Sequence, residues 1–348
     1  MGFLGNIFSK KKRAESVVLV DIGAESVAYA YARYEEGATP QILYVERRAI
    51  DLHEGEIHER AMLRTLRDLG TSFIRTGAPI LTRTVGSGTA HMVVVSIDEP
   101  WQETMIRTED FDGGKGGEPF LFTRGLVSER LARSASTSPE KTIVDESVIG
   151  TILNGYETGA PYGKEAHRAS IVVLSSLINR AVAGGVVSTL RGLFHTKNIL
   201  PIAGSSLRYQ AMRALFPHER DLLVLDTTGG SLMGIALVRK GVFIKMLHMA
   251  HADGQEWTTA VTAGLAEIAK EYPLPRTMFL LAREGDMEAR RRALEAVSPD
   301  SLWLSDAPPT IVPVLASTAS PLVRQTISEP IDIVILLTAI YYQTRDKG

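Results

Sequence analysis

Two short turns carry the residue types with the most chemistry in this chain. Each follows an apolar strand, opens on an aspartate, runs through glycine and small residues, and returns into a second apolar strand. The first is Asp21-Ile22-Gly23-Ala24-Glu25-Ser26 and the second Asp226-Thr227-Thr228-Gly229-Gly230-Ser231. Turns of this composition can aim several backbone N–H groups at one phosphate chain. An aspartate closing the first strand can hold a hydrated divalent cation, because Mg2+ prefers carboxylate oxygen and keeps several of its waters. Either turn alone is ordinary strand-end chemistry. Facing each other, they would clamp a triphosphate. Asp21, Gly23, Ala24 and Ser26 would form one side, and Asp226, Thr227, Thr228, Gly229, Gly230 and Ser231 the other. Asp21 and Asp226 would reach the metal through water.

Other motifs carry less. Gly159 to Lys164 (GAPYGK) is one residue short of the G-x-x-x-x-G-K phosphate loop, and Glu165 stands where Ser or Thr should follow, so it reads as a structural turn. Gly113 to Gly117 (GGKGG) is linker chemistry. His248, His251 and Asp253 follow a strand, not the H-E-x-x-H helix, and read as surface or packed side chains. Ser205-Ser206 lacks the strand–elbow setting of a nucleophile. Glu288 to Arg292 is a solvated helix face. No general base stands out, so no catalytic residue is assigned, and any hydrolysis would be slow.

The elements that must position the two turns follow from hydrophobic period. Ser16–Val20, Val27–Tyr34 and Gln41–Arg48 read as an antiparallel meander, and Glu54–Gly77 as a helix with Ile57, Met62, Leu66, Leu69 and Phe73 on one side. Leu81–Arg83 and Met92–Ile97 look strand-like, Thr108–Gly117 a polar loop, and Phe120–Arg133 helical. Strands are expected over Thr142–Asn154 and Ala169–Ser175, then helices over Leu177–Phe194 and Ser205–Leu215. Leu222–Asp226 and Leu232–Val238 form the clearest hairpin, continued by Val242–Leu247. A helix at Thr258–Glu271, a strand at Thr277–Ala282, a helix at Met287–Ala296 and a buried terminal helix within Ile331–Tyr342 complete the series. Hairpin-led sheets thus alternate with helices twice over, and both halves start alike.

Composition bounds the setting. The 348 residues hold 38 basic and 40 acidic side chains and no cysteine. That excludes disulfides, thiolate metal sites and thiol nucleophiles, fits a reducing compartment, and argues against a nucleic-acid binder. No run reaches the ~18 or more apolar residues of a membrane-spanning helix. The start, MGFLGNIFSKKKR, places Phe3, Leu4, Ile7 and Phe8 on one helical face ahead of Lys10, Lys11, Lys12 and Arg13. That is the reverse of a secretory signal. It reads either as a solubilising leader or as a weak interfacial foot on anionic lipid.

These motifs carry a family resemblance. VVLVDIGAESVAYAYA resembles the first phosphate motif of the actin-like ATPase superfamily, and LLVLDTTGGSLMGIALVRKGVF its second. VIGTILNGYETGAPYGKEAHRASIVV resembles the end of the small inserted subdomain of the FtsA/PilM branch. The resemblance implies an α/β, actin-like (ribonuclease H-like) fold of two lobes. The expected parts are a leader over 1–15, a first lobe over 16–85 and 166–215, an inserted α/β subdomain over 86–165, a second lobe over 216–330 and a terminal helix over 331–348. It also implies ATP and Mg2+ between the lobes, and a cytoplasmic scaffold peripheral to the inner membrane. The implied partner is the cytoplasmic tail of a pilus-platform protein on the PilM side or a tubulin-like division ring on the FtsA side, with self-association and weak membrane contact. Departures from the pattern are specific. In TMFLLAREGD the adenosine-contacting strand is followed by Arg283 and Glu284 where paired glycines belong, leaving only Gly285. The second lobe is short where a further subdomain usually sits. A scaffold that has lost nucleotide therefore stands beside the ATP-binding one, and a small-molecule kinase of the same core is a more distant alternative.

Overall fold

The computed structural model describes residues 14–113, 118–134, 139–250, 257–296, 302–303, 309–327 and 331–345. The basic leader through Arg13, the glycines beyond Gly113, and His251 with Asp253 lie outside them.

β1 (Glu15–Ile22), β2 (Ser26–Tyr34) and β3 (Gln41–Ala49) are rich in β-branched and aromatic residues and form the expected antiparallel meander. Helix α1 (His58–Val85) then crosses the sheet, and β4 (Met92–Ile97) returns parallel to β1. The Leu69, Phe73 face of α1 lies on the meander, where the Phe73 ring stacks on Tyr31 at 4.4 Å and on Tyr29 at 5.2 Å. Gly77 permits that approach, since a Cβ there would fall 2.7 Å from Tyr44 and 2.8 Å from Tyr31. α1 runs on past Gly77 and Pro79, so Leu81–Arg83 is helical and not a strand, with Leu81 wholly buried. The predicted face is otherwise kept, except that Ile57 is exposed just ahead of the helix.

An inserted unit follows. It comprises β5 (Gln102–Asp112), β6 (Phe120–Leu121), α2 (Arg124–Ser134), β7 (Lys141–Leu153), β8 (Tyr156–Glu157), β9 (Glu165–Ala166) and β10 (Arg168–Asn179). Its main sheet has the order β5-β10-β7-β8 and its own core around Phe111, Phe122 and Ile171. By pairing, this sheet spans Gln102 to Asn179. β4, at residues 92–97, belongs to the first-lobe sheet and β10 runs on to Asn179, so the inserted sheet starts after the expected 86 and ends after the expected 165. Thr108–Asp112 is strand, not loop, because its alternating charges face outward while Phe111 faces in. Phe120–Leu121 is likewise strand, and Leu177–Ile178 completes β10 rather than opening the next helix.

α3 (Arg180–Phe194), β11 (Ile199–Ala203) and α4 (Gly204–Leu215) return to the first lobe, where β11 joins β4 in parallel. The second lobe is built from β12 (Leu222–Asp226), β13 (Leu232–Arg239), β14 (Val242–Ala250), α5 (Trp257–Ala269), β15 (Thr277–Leu281), α6 (Glu284–Ala296) and β16 (Thr310–Pro313). The first-lobe order β11-β4-β1-β2-β3 is repeated there as β16-β15-β12-β13-β14, with the same antiparallel meander and parallel trio. This is one topology built twice. β14 ends at Ala250 and α5 begins at Trp257, which leaves no length for a further subdomain between them.

The chain finally crosses back. α7 (Ala316–Ala319) precedes β17 (Arg324–Gln325), which pairs with β3, so the first lobe regains the chain before the expected boundary at 330. The buried α8 (Ile333–Thr344) and α4 share one apolar core with the inner faces of both sheets, including Leu19, Val224 and Phe279. Tyr34 donates to the Ala339 carbonyl at 3.0 Å. The apolar period that predicts α8 thus reports a helix enclosed between lobes. Among the described residues no helix is long and apolar enough to cross a membrane.

Candidate functional site

The parallel trio of each sheet ends at the same level, where ligands of parallel sheets collect. Asp21 lies beside Ser96 at the ends of β1 and β4, Asp98 follows β4 at once, and Asp226 closes β12 beside Leu281. The two predicted turns therefore face each other across the cleft between the lobes. What they hold is one another.

Arg208, on α4, fills the space between the aspartates. Its Nε lies 2.5 Å from Asp226 Oδ2, and its two terminal nitrogens donate to both oxygens of Asp98, one of them at 3.0 Å. The second oxygen of Asp226 accepts from the Thr228 amide at 3.0 Å and hydroxyl at 2.6 Å. No oxygen of Asp98 or Asp226 is left without a donor. Burial works against the Arg208 charge, but Asp226 and Asp98 outweigh it and hold the guanidinium firmly ionised. The cavity beside this trio, lined also by Gln102, Ser205, Gly229 and His248, has a volume of about 40 Å3, room for one water.

On the first-lobe side, Arg47 of β3 donates to Asp21 Oδ2 at 2.8 Å and to the Ser26 hydroxyl at 2.7 Å, and pairs with Asp332 at 2.8 Å. Asp332 also caps α8 through the Val334 amide at 2.9 Å. Asp21 is 3% exposed and its Oδ1 has no protein partner. Burial raises its carboxyl to about 6, with Arg47 opposing and Asp98 and Asp332 reinforcing. Because the folded value lies above the ordinary 3.8, the folded state binds the proton more tightly between those limits. Stability owed to Asp21 is thus full below the ordinary value and lost as pH rises through about 6. We expect the stability of the native chain relative to Asp21→Asn to fall by on the order of 1–3 kcal/mol between pH 4 and pH 6.5, measured by urea unfolding; a flat difference would contradict it.

The turns themselves are engaged. The Gly23 amide donates to the Ser26 carbonyl at 3.0 Å, and the Gly23 and Ala24 carbonyls meet Trp101 Nε1 at 3.3 Å and His58 Nε2 at 2.7 Å. The Ser231 amide donates to Glu25 at 2.9 Å, so a carboxylate from the first turn sits at the second. Arg283 reaches back to the Ser26 hydroxyl at 3.4 Å. Thr227 is tied to the Leu281 carbonyl through amide and hydroxyl, at 2.8 and 3.0 Å. Gly285 lies in the first turn of α6, where an added Cβ would meet open space. His248 meets Glu99 through Nδ1, and burial holds its imidazole below the ordinary value while Asp98 opposes. Among the described residues no three His, Asp or Glu side chains converge to hold a metal ion.

These groups do not fit a hydrated divalent cation carrying a triphosphate. Such a cation needs free carboxylate oxygen and room for waters. Here both oxygens of Asp98 and of Asp226 are taken, and Asp21 keeps one buried unpartnered oxygen but is paired with Arg47 through the other. The space beside the Arg208 trio is one water wide, and Glu25 stands where a phosphate would meet the second turn. Sequence reasoning brings Asp21, Ser26, Asp226 and the second turn to one place but misses Asp98, Arg208, Arg47, Glu25 and Asp332. Only Asp98 carries a usable signal, since MVVVSID repeats the pattern of an apolar strand ending in aspartate.

Gly204, the first residue of α4, is part of this packing. A Cβ there would fall 1.9 Å from Asp98 Oδ1 and 2.9 Å from Ser96 Oγ. Alanine usually favours a helix over glycine by up to about 1 kcal/mol, but crowding of a filled site costs about 1–3 kcal/mol. We expect Gly204→Ala to destabilise the protein, read as a lower urea midpoint at unchanged slope. A raised midpoint would contradict the packing described.

No family model matches the chain, and no curated protein matches it. Among solved structures, a chain of a PilM–PilN type IV pilus biogenesis complex superposes with a TM-score of 0.56 at 13% identity, over 95% of this chain and 98% of that one. A Bacteroides thetaiotaomicron protein of actin-like ATPase fold and unknown function gives a TM-score of 0.47 at 10% identity, over 96% and 99%. At such identity the likeness concerns the fold. The chain has the two-lobed actin-like fold, in the form seen in that pilus complex.

Proposed function

We propose that the chain is an actin-like scaffold that works as a docking body in a membrane-bound assembly, of the kind PilM serves beside PilN, and that it performs no nucleotide chemistry. The observation that carries the second half is the pairing of both predicted metal carboxylates with guanidinium groups, Asp21 with Arg47 and Asp226 with Arg208. The first half is supported by the near-complete overlap with a chain of the PilM–PilN complex, in which 95% of this chain superposes. On this reading the partner is the cytoplasmic tail of an inner-membrane assembly protein. The protein then sits in the cytoplasm at that membrane, and Phe3, Leu4, Ile7, Phe8 and the basic run Lys10 to Arg13 add a weak surface contact. A division-ring scaffold is the same reading with a different partner, and no residue in hand favours it.

The test is affinity purification of the tagged full chain from detergent-solubilised native membranes, followed by reconstitution with the captured protein's cytoplasmic segment. The proposal expects a membrane protein with a short cytoplasmic tail that binds the purified chain one to one without added nucleotide. Binding that requires Mg·ATP, or capture of soluble metabolic enzymes alone, would overturn it.

A further inference from the structure

We propose that the cleft is an internal ion clasp: Arg208 stands where a cation would bridge the lobes and Glu25 where an anion would meet the second turn, so the chain holds its own lobes closed. This rests on the reading that the cleft is not a nucleotide site.

The geometry is that of a bound ligand supplied from within. Arg208 belongs to the first lobe and spends one nitrogen on Asp226 of the second, while its other two fasten to Asp98 of the first. A planar guanidinium suits this task, since its fork can face two carboxylates in fixed directions without the waters an ion would keep. Glu25, also of the first lobe, receives the Ser231 amide of the second. The adjoining Gly230 has φ +74°, and a Cβ on it would fall 2.0 Å from the Glu25 carboxylate. The glycine serves both the turn and the entry of the acid. Arg283 makes a further crossing, from the second lobe to Ser26 of the first, and His248 of β14 meets Glu99 just beyond β4. The Arg208, Glu25 and Arg283 contacts join groups that a triphosphate would have to part.

The consequence concerns how closure is controlled. When a ligand closes two lobes, the closed population follows ligand concentration and differential affinity. When the bridging groups are covalently part of the chain, their effective concentration is fixed and closure needs nothing added. The α4–α8 core beneath the cleft keeps the lobe bases together, so the clasp governs only the open end.

The chain has no cysteine, so labels can be introduced without background. Arg67→Cys on α1 and Ala263→Cys on α5 are exposed positions on opposite lobes. Spin labels there should give one narrow distance in the native chain, unchanged by millimolar Mg·ATP. Arg208→Met should add a second, longer distance. If that variant does not fold, Arg208→Lys keeps the charge but loses the fork, and should show the longer distance in smaller amount. In the Arg208→Lys background Glu25→Gln should lower the closed-to-open ratio about fivefold, the scale of one exposed charged contact. A native distance that shifts with Mg·ATP overturns both the clasp and the nucleotide-free reading. Folded Arg208 variants that keep the native distance overturn the clasp alone.

Discussion

Arg208→Met should destabilise the protein by about 3–5 kcal/mol, the usual cost of removing one member of a buried charge cluster. The cost arises less from the bonds lost than from what they leave. Arg208 and its partners Asp98 and Asp226 are between 11% and 16% exposed, so two poorly hydrated carboxylates would face each other with no positive charge between them. Asp226 would keep Thr228, but Asp98, both of whose oxygens accept from Arg208, would keep no side-chain partner among the described residues. The same logic predicts the rescue. Arg208→Met combined with Asp98→Asn and Asp226→Asn should recover at least half the loss, because neutral amides need no counter-charge. Urea unfolding of the native chain and these two variants checks both statements. A single variant costing under about 1 kcal/mol would place the trio among ordinary surface ion pairs.

Arg47→Met should be the second most damaging change, and its cost should depend on pH. Arg47 neutralises Asp21 and Asp332 together and orders Ser26, so its loss sets two carboxylates against each other beside the start of α8. Asp21 already binds its proton unusually tightly, up to about 6, while Arg47 opposes that shift. Without Arg47 the proton would bind more tightly still. Near pH 8 the variant should lose about 3 kcal/mol. Near pH 5 Asp21 is protonated and neutral in the folded state, so the loss should shrink markedly. Unfolding curves of native and variant chains at the two pH values give the comparison. A cost independent of pH would contradict the assignment of Asp21 as the titrating group.

Much of the fold could be read from residue order, because the signals were local. The two meanders announce themselves by alternating apolar runs around short turns, and α8 by an apolar run too short for a membrane and too long for a strand. The misreadings have equally local causes. Gly77 and Pro79 look like a helix end, yet α1 continues because Gly77 is needed against Tyr31 and Tyr44 and only one backbone bond is lost at proline. Thr108 to Asp112 is as polar as a loop, yet it is the outer strand of the inserted sheet, where charge guards a free edge. The site was half legible. Aspartates at strand ends mark where parallel strands stop, and two of the three were found that way. The arginines were not, because nothing in the sequence near Arg47 or Arg208 tells where a long flexible cation will land once α4 and β3 are packed. Glu25 sits inside the first turn itself, and only the approach of the second turn gives it a role.

If the chain fills its own cleft, calorimetric titration of the 348-residue protein with Mg·ATP will show it. A filled cleft gives no saturable heat and no rise in melting temperature up to millimolar nucleotide. One-to-one binding with a saturable heat, accompanied by the roughly 2.7 kcal/mol of stabilisation expected at a hundredfold excess over Kd, would contradict it.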